Sequence, residues 1–430
     1  MLKRYSIYFL LISLLLSCSE KAVKTEKVIN KKTAELESLF NYLFENKIFN
    51  GAVAVKDSGK IIFKETYGYA NFETEEPFTS HTQMELASVS KQFTAAAIMK
   101  LHQQNKIDLN ADINTYFEPD LPYNGVKVYN LLNHTAGLPN YEPWFKENWP
   151  EETIAYNKDI VKYFIEHKPD TLFAPGKGYH YSNTGYILLA ELVHITSGKP
   201  LDQFLQEELF NPFILTESGF YGRDDIFDMK AYAPAFMWDI EKCAYVRPET
   251  LAEKSYYYFL SGRFGSGRLS SSLDNLISWD SLLYTDSFLA DTTKALIFTP
   301  NPDTSLSTDY GFGWHVYNDD VKGKVAYHTG NWAGNLAYIK RYMNDGSLVV
   351  LLNNTYESKY MKSVRNAIDA ILKEEEWQYP KILLSEKLKK DICTENFDPV
   401  KWSSQFSDTI KFEHDLKRNR KAATRIIINK

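Results

Sequence analysis

The sequence predicts an α/β (α+β) fold in which both ends of the chain build one antiparallel sheet around a mostly helical insertion. Two pairs of strand-like segments carry this prediction, because each pair flanks a short turn rich in Gly, Asp, Asn or Ser. The first pair lies near the start of the globular region and the second near its end. The hairpins are Gly51–Lys56 with Ile61–Tyr67 around Asp57-Ser58-Gly59, and Leu336–Tyr342 with Ser347–Asn353 around Asn344-Asp345-Gly346.

Helical periodicity marks the two ends and the interior of the same region. Apolar residues follow one face of a helix before the first hairpin and of another after the second; they are Leu36, Leu39, Phe40, Leu43 and Phe44, then Met361, Val364, Ile368, Ile371 and Leu372. Interior helices are predicted over Gln92–Gln104, Tyr186–Thr196 and Leu273–Leu283. We therefore expect a domain over residues 33–373, with its sheet part at about 33–87 and 305–373 and its helical part at about 88–304. Residues 374–430 form an extension of unknown role.

Composition and charge restrict the class of protein. The 430 residues are 44% hydrophobic and 24% charged, which is typical of a packed globule and excludes disorder or coiled coil as the main architecture. The 49 basic and 55 acidic side chains give a net charge of −6. Because no basic surplus exists to neutralise phosphates, we expect no nucleic acid partner.

The amino terminus is typical of an export signal. Lys3 and Arg4 precede an apolar run, Tyr5–Leu16, that is shorter than the roughly 20 residues needed to span a bilayer. The run ends in Leu15-Leu16-Ser17-Cys18, which resembles the lipobox of a bacterial lipoprotein. On that resemblance residues 1–17 are the signal peptide, Cys18 carries the lipid, and residues 18–32 form a tether. The alternative is an ordinary secretion signal with an incidental cysteine. Cys243 and Cys393 remain, and the sequence leaves open whether they pair.

The strongest chemical pattern is Ser88-Val89-Ser90-Lys91, the only S-x-x-K in the chain. Three residues are nearly one helical turn, so the Ser88 hydroxyl and the Lys91 amine project from one face. A neutral amine in that position can take the proton of the serine, provided that burial lowers its pKa from about 10.4. The pattern alone is weak, because it arises about once or twice by chance in a chain of this length. Walker, G-x-S-x-G and H-E-x-x-H patterns are absent, and we expect no metal site.

Two further segments complete a candidate site. Tyr181-Ser182-Asn183 offers a phenol that can move a proton and an amide that can hold a carbonyl. His328-Thr329-Gly330 is followed by Asn331, whose N–H suits an oxyanion, and the glycine permits close approach of the strand to an acyl group. Taken singly, the tyrosine and the histidine are more often structural residues.

The order and separation of these three segments resemble the serine β-lactamase and penicillin-binding protein superfamily, most closely its class C-like branch. Three further phrases fit the same branch: Leu131-Leu132-Asn133-His134-Thr135-Ala136-Gly137-Leu138-Pro139, Tyr310-Gly311-Phe312-Gly313-Trp314, and Gly265-Ser266-Gly267 before Leu269-Ser270-Ser271. The resemblance covers about residues 36–373 and implies the β-lactamase/transpeptidase-like fold.

The resemblance also implies a role for each site residue. Ser88 is the acylated nucleophile, Lys91 its activating partner and Tyr181 the proton shuttle. Asn183 positions the substrate amide, and the N–H groups of Ser88 and Asn331 form the oxyanion hole. His328, Thr329 and Gly330 line the opposite wall. No cofactor is implied.

His328 bears on the substrate, because many β-lactamases of the superfamily have lysine there, and neutral histidine grips a carboxylate less firmly. We therefore expect a monomeric, lipid-anchored serine hydrolase of the bacterial cell envelope, acting on a D-amino-acid peptide or small ester, with the membrane contacted through Cys18. One alternative is a true β-lactamase. Another is a non-catalytic binding lipoprotein on the same fold.

Overall fold

A computed structural model gives the three-dimensional structure of the chain. It describes residues 30–222, 225–300, 308–395 and 397–404, together with residue 28. The predicted signal peptide, Cys18 and most of the tether lie outside the described residues. Residues 30–32, predicted as the end of the tether, belong to the first helix, where Lys32 forms an ion pair with Asp57 (2.7 Å). In the part of the chain that is described, no helix has the length and apolarity required to cross a bilayer.

The main sheet has six strands in the order β11-β12-β13-β14-β1-β2, and every neighbouring pair is antiparallel. Both predicted hairpins lie in it, and the strand nearest the start of the chain pairs with the strand nearest its end, with Gly51 opposite Asn353. A smaller sheet has the order β6-β10-β5-β7, and β3-β4 and β8-β9 form short ribbons. The strands are β1 (Gly51–Asp57), β2 (Lys60–Tyr67), β3 (Tyr69–Asn71), β4 (Glu76–Pro77), β5 (Gln83–Glu85), β6 (Ser218–Phe220), β7 (Tyr232–Ala233), β8 (Met237–Asp239), β9 (Ala244–Val246), β10 (Leu269–Ser271), β11 (His315–Asp319), β12 (Gly323–Trp332), β13 (Asn335–Tyr342) and β14 (Ser347–Asn353).

Helices cover both faces of the main sheet. They are α1 (residues 30–45), α2 (Lys91–Gln103), α3 (Val128–Leu132), α4 (Glu142–Asn148), α5 (Asn157–His167), α6 (Asn183–Ser197), α7 (Leu201–Leu205), α8 (Asp225–Asp228), α9 (Tyr256–Phe259), α10 (Leu273–Leu282), α11 (Asp291–Ile297), α12 (Ser358–Lys373), α13 (Leu384–Asp391) and α14 (Pro399–Ser404). The predicted interior helices correspond to α2, α6 and α10. The fold class is thereby confirmed.

Strand alternation separates two apolar cores. Val53 and Val55 of β1 point to the face covered by α1 and α12, whereas Ala52 and Ala54 point to the face covered by the helical part. On that second face α10 packs on β1 and β14, and α2 packs against α6. The apolar core on that second face extends to the start of α2. The segment that carries Ser88 is therefore fixed between the sheet and the helical part.

The carboxy-terminal extension packs on the domain over its described part. Trp377, Ile382 and Leu383 contact the core beneath α1 and α12. A disulfide joins Cys243, next to β9, to Cys393, just after α13, with their Cα atoms 5.5 Å apart. The pairing that the sequence left open is therefore present, and it closes a loop across 150 residues.

Removing this disulfide is expected to destabilise the chain. Closing a long loop restricts the unfolded chain, and native disulfides typically contribute about 2–4 kcal/mol to the free energy of unfolding. We expect the double variant Cys243→Ser, Cys393→Ser to lose unfolding free energy of that size, measured by urea unfolding. Both proteins compared carry Cys18→Ser, so that the two cysteines of the disulfide are the only ones in the reference protein. A difference below about 0.5 kcal/mol would contradict a stabilising role.

Candidate active site

Ser88 lies at the junction between the main sheet and the helical part. It belongs to a single 3₁₀ turn, Ala87–Ser90, that runs directly into α2. Ala87, Val89 and Ser90 are buried, whereas Ser88 keeps part of its surface accessible. The turn therefore presents one hydroxyl to solvent at the start of a buried helix.

Lys91 is fully buried and its amine has three neighbours. Nζ lies 3.3 Å from Ser88 Oγ, 2.8 Å from Asn183 Oδ1 and 2.7 Å from the carbonyl oxygen of Ser266. The amide and carbonyl oxygens can only accept hydrogen bonds. A neutral amine has two N–H groups and one lone pair, so those two oxygens take both N–H groups and the lone pair is left for Ser88. This geometry suits proton transfer from Ser88 to Lys91.

Electrostatics favour that neutral amine. Burial lowers the pKa of Lys91 well below its ordinary value of 10.5, and the neighbouring charge of Arg263 lowers it further. Glu142 opposes both effects by raising the pKa. Proton transfer from Ser88 requires that burial make Lys91 less basic, and the direction of its pKa shift agrees with this requirement.

Tyr181 completes the group around Ser88. Its hydroxyl is buried and, among the described residues, has no hydrogen-bond partner of standard geometry. Burial raises the pKa of Tyr181 above the ordinary 10.0, and the Ser88 side chain partly offsets this rise. The Lys91 amine lies 4.9 Å from the centre of the Tyr181 ring. The structure thus brings Ser88, Lys91 and Tyr181 into one cluster, with Tyr181 as a neutral phenol near pH 7.

Asn183 is more constrained than the sequence indicated. Its Oδ1 accepts from Lys91, and its Nδ2 donates to Glu142 Oε1 at 2.5 Å. Its backbone N–H donates to Asn140 Oδ1 at 2.6 Å. Since both ends of the amide are engaged within the protein, Asn183 is placed to hold Lys91, and its expected contact with a substrate stays a prediction.

His328 is buried and neutral, and it does not present a free ring to the cleft. Its Nδ1 donates to the carbonyl oxygen of Thr329 (2.7 Å), which leaves Nε2 to accept from the Tyr310 hydroxyl (2.9 Å). Burial lowers the pKa of His328 well below 6.5, and the charges of His315 and Lys91 act in the same direction. An anionic substrate therefore finds no cation at this position.

The strand that carries His328 has an open edge beyond that residue. β11 pairs with β12 only over Gly323–Tyr327. Trp332 pairs with Asn335 across a two-residue loop. Because hydrogen-bonded and non-bonded pairs alternate along an antiparallel ladder, the N–H of Asn331 turns away from β13 toward the open edge. That orientation suits the oxyanion-hole role expected of Asn331.

Side chains on β12 divide between the two faces of the sheet. Thr329 and Asn331 point to the face opposite the buried His328, where they border a cavity with Met361 and Arg365 of α12. Gly330 lies on the same face as His328. A Cβ on Gly330 would lie 2.1 Å from the carbonyl oxygen of Leu86. The glycine therefore permits close contact between β12 and the segment before Ser88. The sequence analysis explains this glycine by the approach of an acyl group, whereas in the structure the close neighbour is the protein backbone.

Three residues near the site were given no role from the sequence. His134 accepts from Ser182 N–H through Nδ1 (3.2 Å), and its ring packs on Tyr181 at 4.3 Å between centres. Glu142 contacts Asn183, and the buried Arg263 donates to Ser266 Oγ at 3.0 Å. His134 lies in a phrase that the sequence did single out. Glu142 and Arg263 lie outside the quoted phrases, and their positions depend on long-range folding.

Arg268 lies between the site and the small sheet and has a charged partner. It forms a buried ion pair with Glu85 (2.5 Å), and its backbone φ is +73°.

Among the described residues, no three His, Cys, Asp or Glu side chains are grouped so that they could hold a metal ion.

Comparison with known proteins gives consistent matches. The Beta-lactamase family model matches residues 31–373. Penicillin-binding protein 4* of Bacillus subtilis (strain 168) is 33% identical over 368 residues, which are 84% of this chain and 81% of that protein. A teichoic acid D-alanine hydrolase of Staphylococcus aureus is 23% identical over 357 residues, 82% of this chain and 81% of the relative. The crystal structure of a penicillin binding protein from Bacillus halodurans superposes with a TM-score of 0.66 at 24% identity, covering 77% of this chain and 98% of that one.

Proposed function

The chain belongs to the Beta-lactamase family and is a serine hydrolase, and from this premise we propose that it cleaves a D-amino-acid amide or ester through an acyl-enzyme on Ser88. The observation that supports the proposal most directly is the environment of Lys91. Its amine lies 3.3 Å from Ser88 Oγ while two oxygens take its N–H groups. A base aimed at a nucleophile in this way is the arrangement required for nucleophilic catalysis.

In the proposed acylation, Lys91 takes the proton of Ser88 as Oγ attacks the substrate carbonyl carbon. The bond between Oγ and that carbon forms, and the carbonyl oxygen becomes an oxyanion held by the N–H groups of Ser88 and Asn331. Removing one such donor typically costs about 10²–10³ in rate. The tetrahedral intermediate then collapses with loss of the amine or alcohol.

Tyr181 is proposed to deliver the proton to the leaving group. Its hydroxyl is neutral near pH 7 because burial raises its pKa, so it can donate a proton and recover one from protonated Lys91. Water then attacks the carbonyl carbon of the acyl-enzyme. Lys91 and Tyr181 accept a proton from this water and return one to Ser88 Oγ, and the acid is released. No metal or organic group is required for these steps.

A D-amino-acid substrate is favoured over a β-lactam by the neutral His328, which offers no cation to a carboxylate. The name of the S. aureus relative, a D-alanine hydrolase of teichoic acid, supports an ester or amide of D-alanine as the first substrate to test. The β-lactamase alternative draws support from the family match itself. A non-catalytic binding lipoprotein is disfavoured, since binding alone does not require a buried lysine beside an accessible serine.

We further propose that the domain is exported and anchored at the cell envelope through Cys18, as a monomer. The disulfide between Cys243 and Cys393 supports export, because such bonds persist in oxidising compartments. With those two cysteines paired, Cys18 is the remaining cysteine of the chain, as a lipid attachment site requires.

Covalent labelling tests the proposed chemistry. We expect the folded chain to react with a fluorophosphonate at one site, and peptide mass spectrometry to place the adduct on Ser88. A substrate panel of D-alanyl esters, D-alanyl-D-alanine peptides and nitrocefin then separates the alternatives. Turnover of nitrocefin above that of the D-alanyl substrates would favour a β-lactamase, and absence of any label on folded protein would favour the binding protein.

A further inference from the structure

Glu142 occupies a position from which it controls the orientation of Asn183. It begins α4, is 8% exposed, and accepts from Asn183 Nδ2 through Oε1. An ionised carboxylate can only accept hydrogen bonds, so it holds the NH₂ end of the amide toward itself. The oxygen end of Asn183 is thereby held toward Lys91.

That orientation determines where the lone pair of Lys91 points. If the amide were reversed, its NH₂ group would face the amine, and Lys91 could meet it only by offering its lone pair. The lone pair would then be drawn away from Ser88. The hydrogen bond from Asn183 to Glu142 removes this competing arrangement.

Arg263 is linked to Lys91 through Ser266. It is fully buried, its guanidinium stacks 3.9 Å from the centre of the Trp332 ring, and it donates to Ser266 Oγ. The carbonyl of that same Ser266 accepts from Lys91. Arg263 therefore contacts both the residue that holds the lysine and the hairpin that follows Asn331.

The charges that act on Lys91 are of opposite sign. Glu142 raises the pKa of Lys91 and Arg263 lowers it, in addition to the larger effect of burial. Among the described residues, the other titratable groups near the amine are neutral near pH 7, because burial raises the pKa of the tyrosines and lowers that of the histidines. They are Tyr181, Tyr186, His134 and His328.

We propose that Glu142 is a positioning residue that fixes the amide of Asn183, and that the opposite charges of Glu142 and Arg263, which are linked to Lys91 through Asn183 and Ser266, together set the protonation of Lys91. The proposal rests on the function proposed above for its kinetic consequence. It also makes Arg263, which lies outside β12, the cation whose charge acts on Lys91. Since His328 is neutral, a cation supplied by β12 is missing here.

The test compares variants that separate charge from hydrogen bonding. Glu142→Gln keeps an acceptor for Asn183 and removes the charge, whereas Glu142→Ala removes both. Arg263→Met removes the positive charge, and Arg263→Lys retains it. Glu147→Gln, an exposed carboxylate on the same helix, is the matched control. The readout is the pH dependence of the second-order rate of fluorophosphonate labelling, with circular dichroism to confirm folding.

Opposite shifts are expected. Neutral Lys91 is the reactive form, so the labelling rate rises with pH. Glu142→Gln is expected to move this rise to lower pH by about one unit, and Arg263→Met to move it to higher pH by a similar amount. Glu142→Ala is also expected to reduce the limiting rate by about 10²-fold, because Asn183 is free to turn. Arg263→Lys and Glu147→Gln are expected to stay within 0.3 pH units of the wild type, which is about a twofold change in equilibrium.

The proposal is overturned if Glu142→Gln and Arg263→Met shift the rise in the same direction or not at all, or if Glu142→Ala keeps the wild-type limiting rate. A second readout is independent of catalysis: the pH titration of the ¹³Cε signal of Lys91, assigned by its loss in Lys91→Arg. If the wild-type chain fails to label, the proposed function is wrong, and this titration still decides whether the two charges act on Lys91 as proposed.

Discussion

Replacing Ser88 by alanine is expected to abolish fluorophosphonate labelling and to reduce turnover of any substrate by about 10⁴–10⁶-fold. Ser88 carries the accessible hydroxyl of the 3₁₀ turn and lies 3.3 Å from the Lys91 amine. Without its Oγ no acyl-enzyme can form, and what remains is catalysis by binding and by the oxyanion donors. Steady-state rates on the D-alanyl substrates and intact-protein mass after labelling measure the effect.

Ser90 provides a matched control within the same turn. Its Oγ is buried and accepts from the N–H of Leu269 at 3.1 Å. Ser90→Ala is expected to retain the label while losing about 1 kcal/mol of unfolding free energy, the usual contribution of one hydrogen bond. Loss of labelling in both variants with retained folding would indicate that the turn, and not the Ser88 hydroxyl, is what the reagent requires.

The elements that were predictable from the sequence are those with a strong local pattern. β1 and β14 are buried on both faces, and the turns that follow β1 and precede β14 contain Gly59 and Gly346 at positive φ, as expected of hairpins. The pairing of the two ends of the chain followed from combining hairpins with terminal helices. The small sheet of β5, β6, β7 and β10 was not predicted, because strands of two or three residues are too short to show a period of two.

The residues of the candidate site also differ in whether a pattern in the sequence predicts them. Ser88 and Lys91 could be paired because three residues span nearly one helical turn, and the contact of 3.3 Å agrees with that expectation. Tyr181 and Asn183 could be added because their separation matches a known superfamily. Glu142 and Arg263 could not be found in this way, since the position of each depends on how a distant segment packs on the site, and no local pattern indicates which residue it contacts.

The effect of Arg263 on Lys91 shows that a resemblance to a family predicts the reacting residues better than it predicts the charges around them. The sequence interpretation treated His328 as a weaker anion contact in the wall of the cleft. In the structure His328 is engaged by Thr329 and Tyr310, and a cation from another segment lies near Lys91. A residue that is distant in sequence and has no counterpart in the motif can therefore determine the charge near the reacting lysine.

Lys91→Arg and Lys91→Met are expected to reduce labelling of Ser88 by about 10³-fold or more at every pH. Arginine keeps a permanent charge and cannot accept the proton, and methionine has neither proton nor lone pair of sufficient basicity. The wild-type rate should rise with pH and level off above the lowered pKa of Lys91, because the neutral amine is the reactive form. Neither variant should show that rise. A variant that labels at one-tenth of the wild-type rate or faster would exclude Lys91 as the base.

The same lowered pKa has a consequence for stability that can be measured without substrate. Between the folded pKa of Lys91 and its ordinary value of 10.5, the unfolded chain binds the proton and the folded chain does not. Stability contributed by this group therefore increases as pH rises through that interval and is complete above it. Lys91→Met lacks the titration, so the difference in unfolding free energy between wild type and variant should move in favour of the wild type as pH increases. Urea unfolding of both proteins at several pH values measures this, since every other titrating group is common to the pair. A difference that stays constant with pH would mean that Lys91 titrates alike in the folded and unfolded chains, and would remove the neutral amine on which the proposed proton transfer depends.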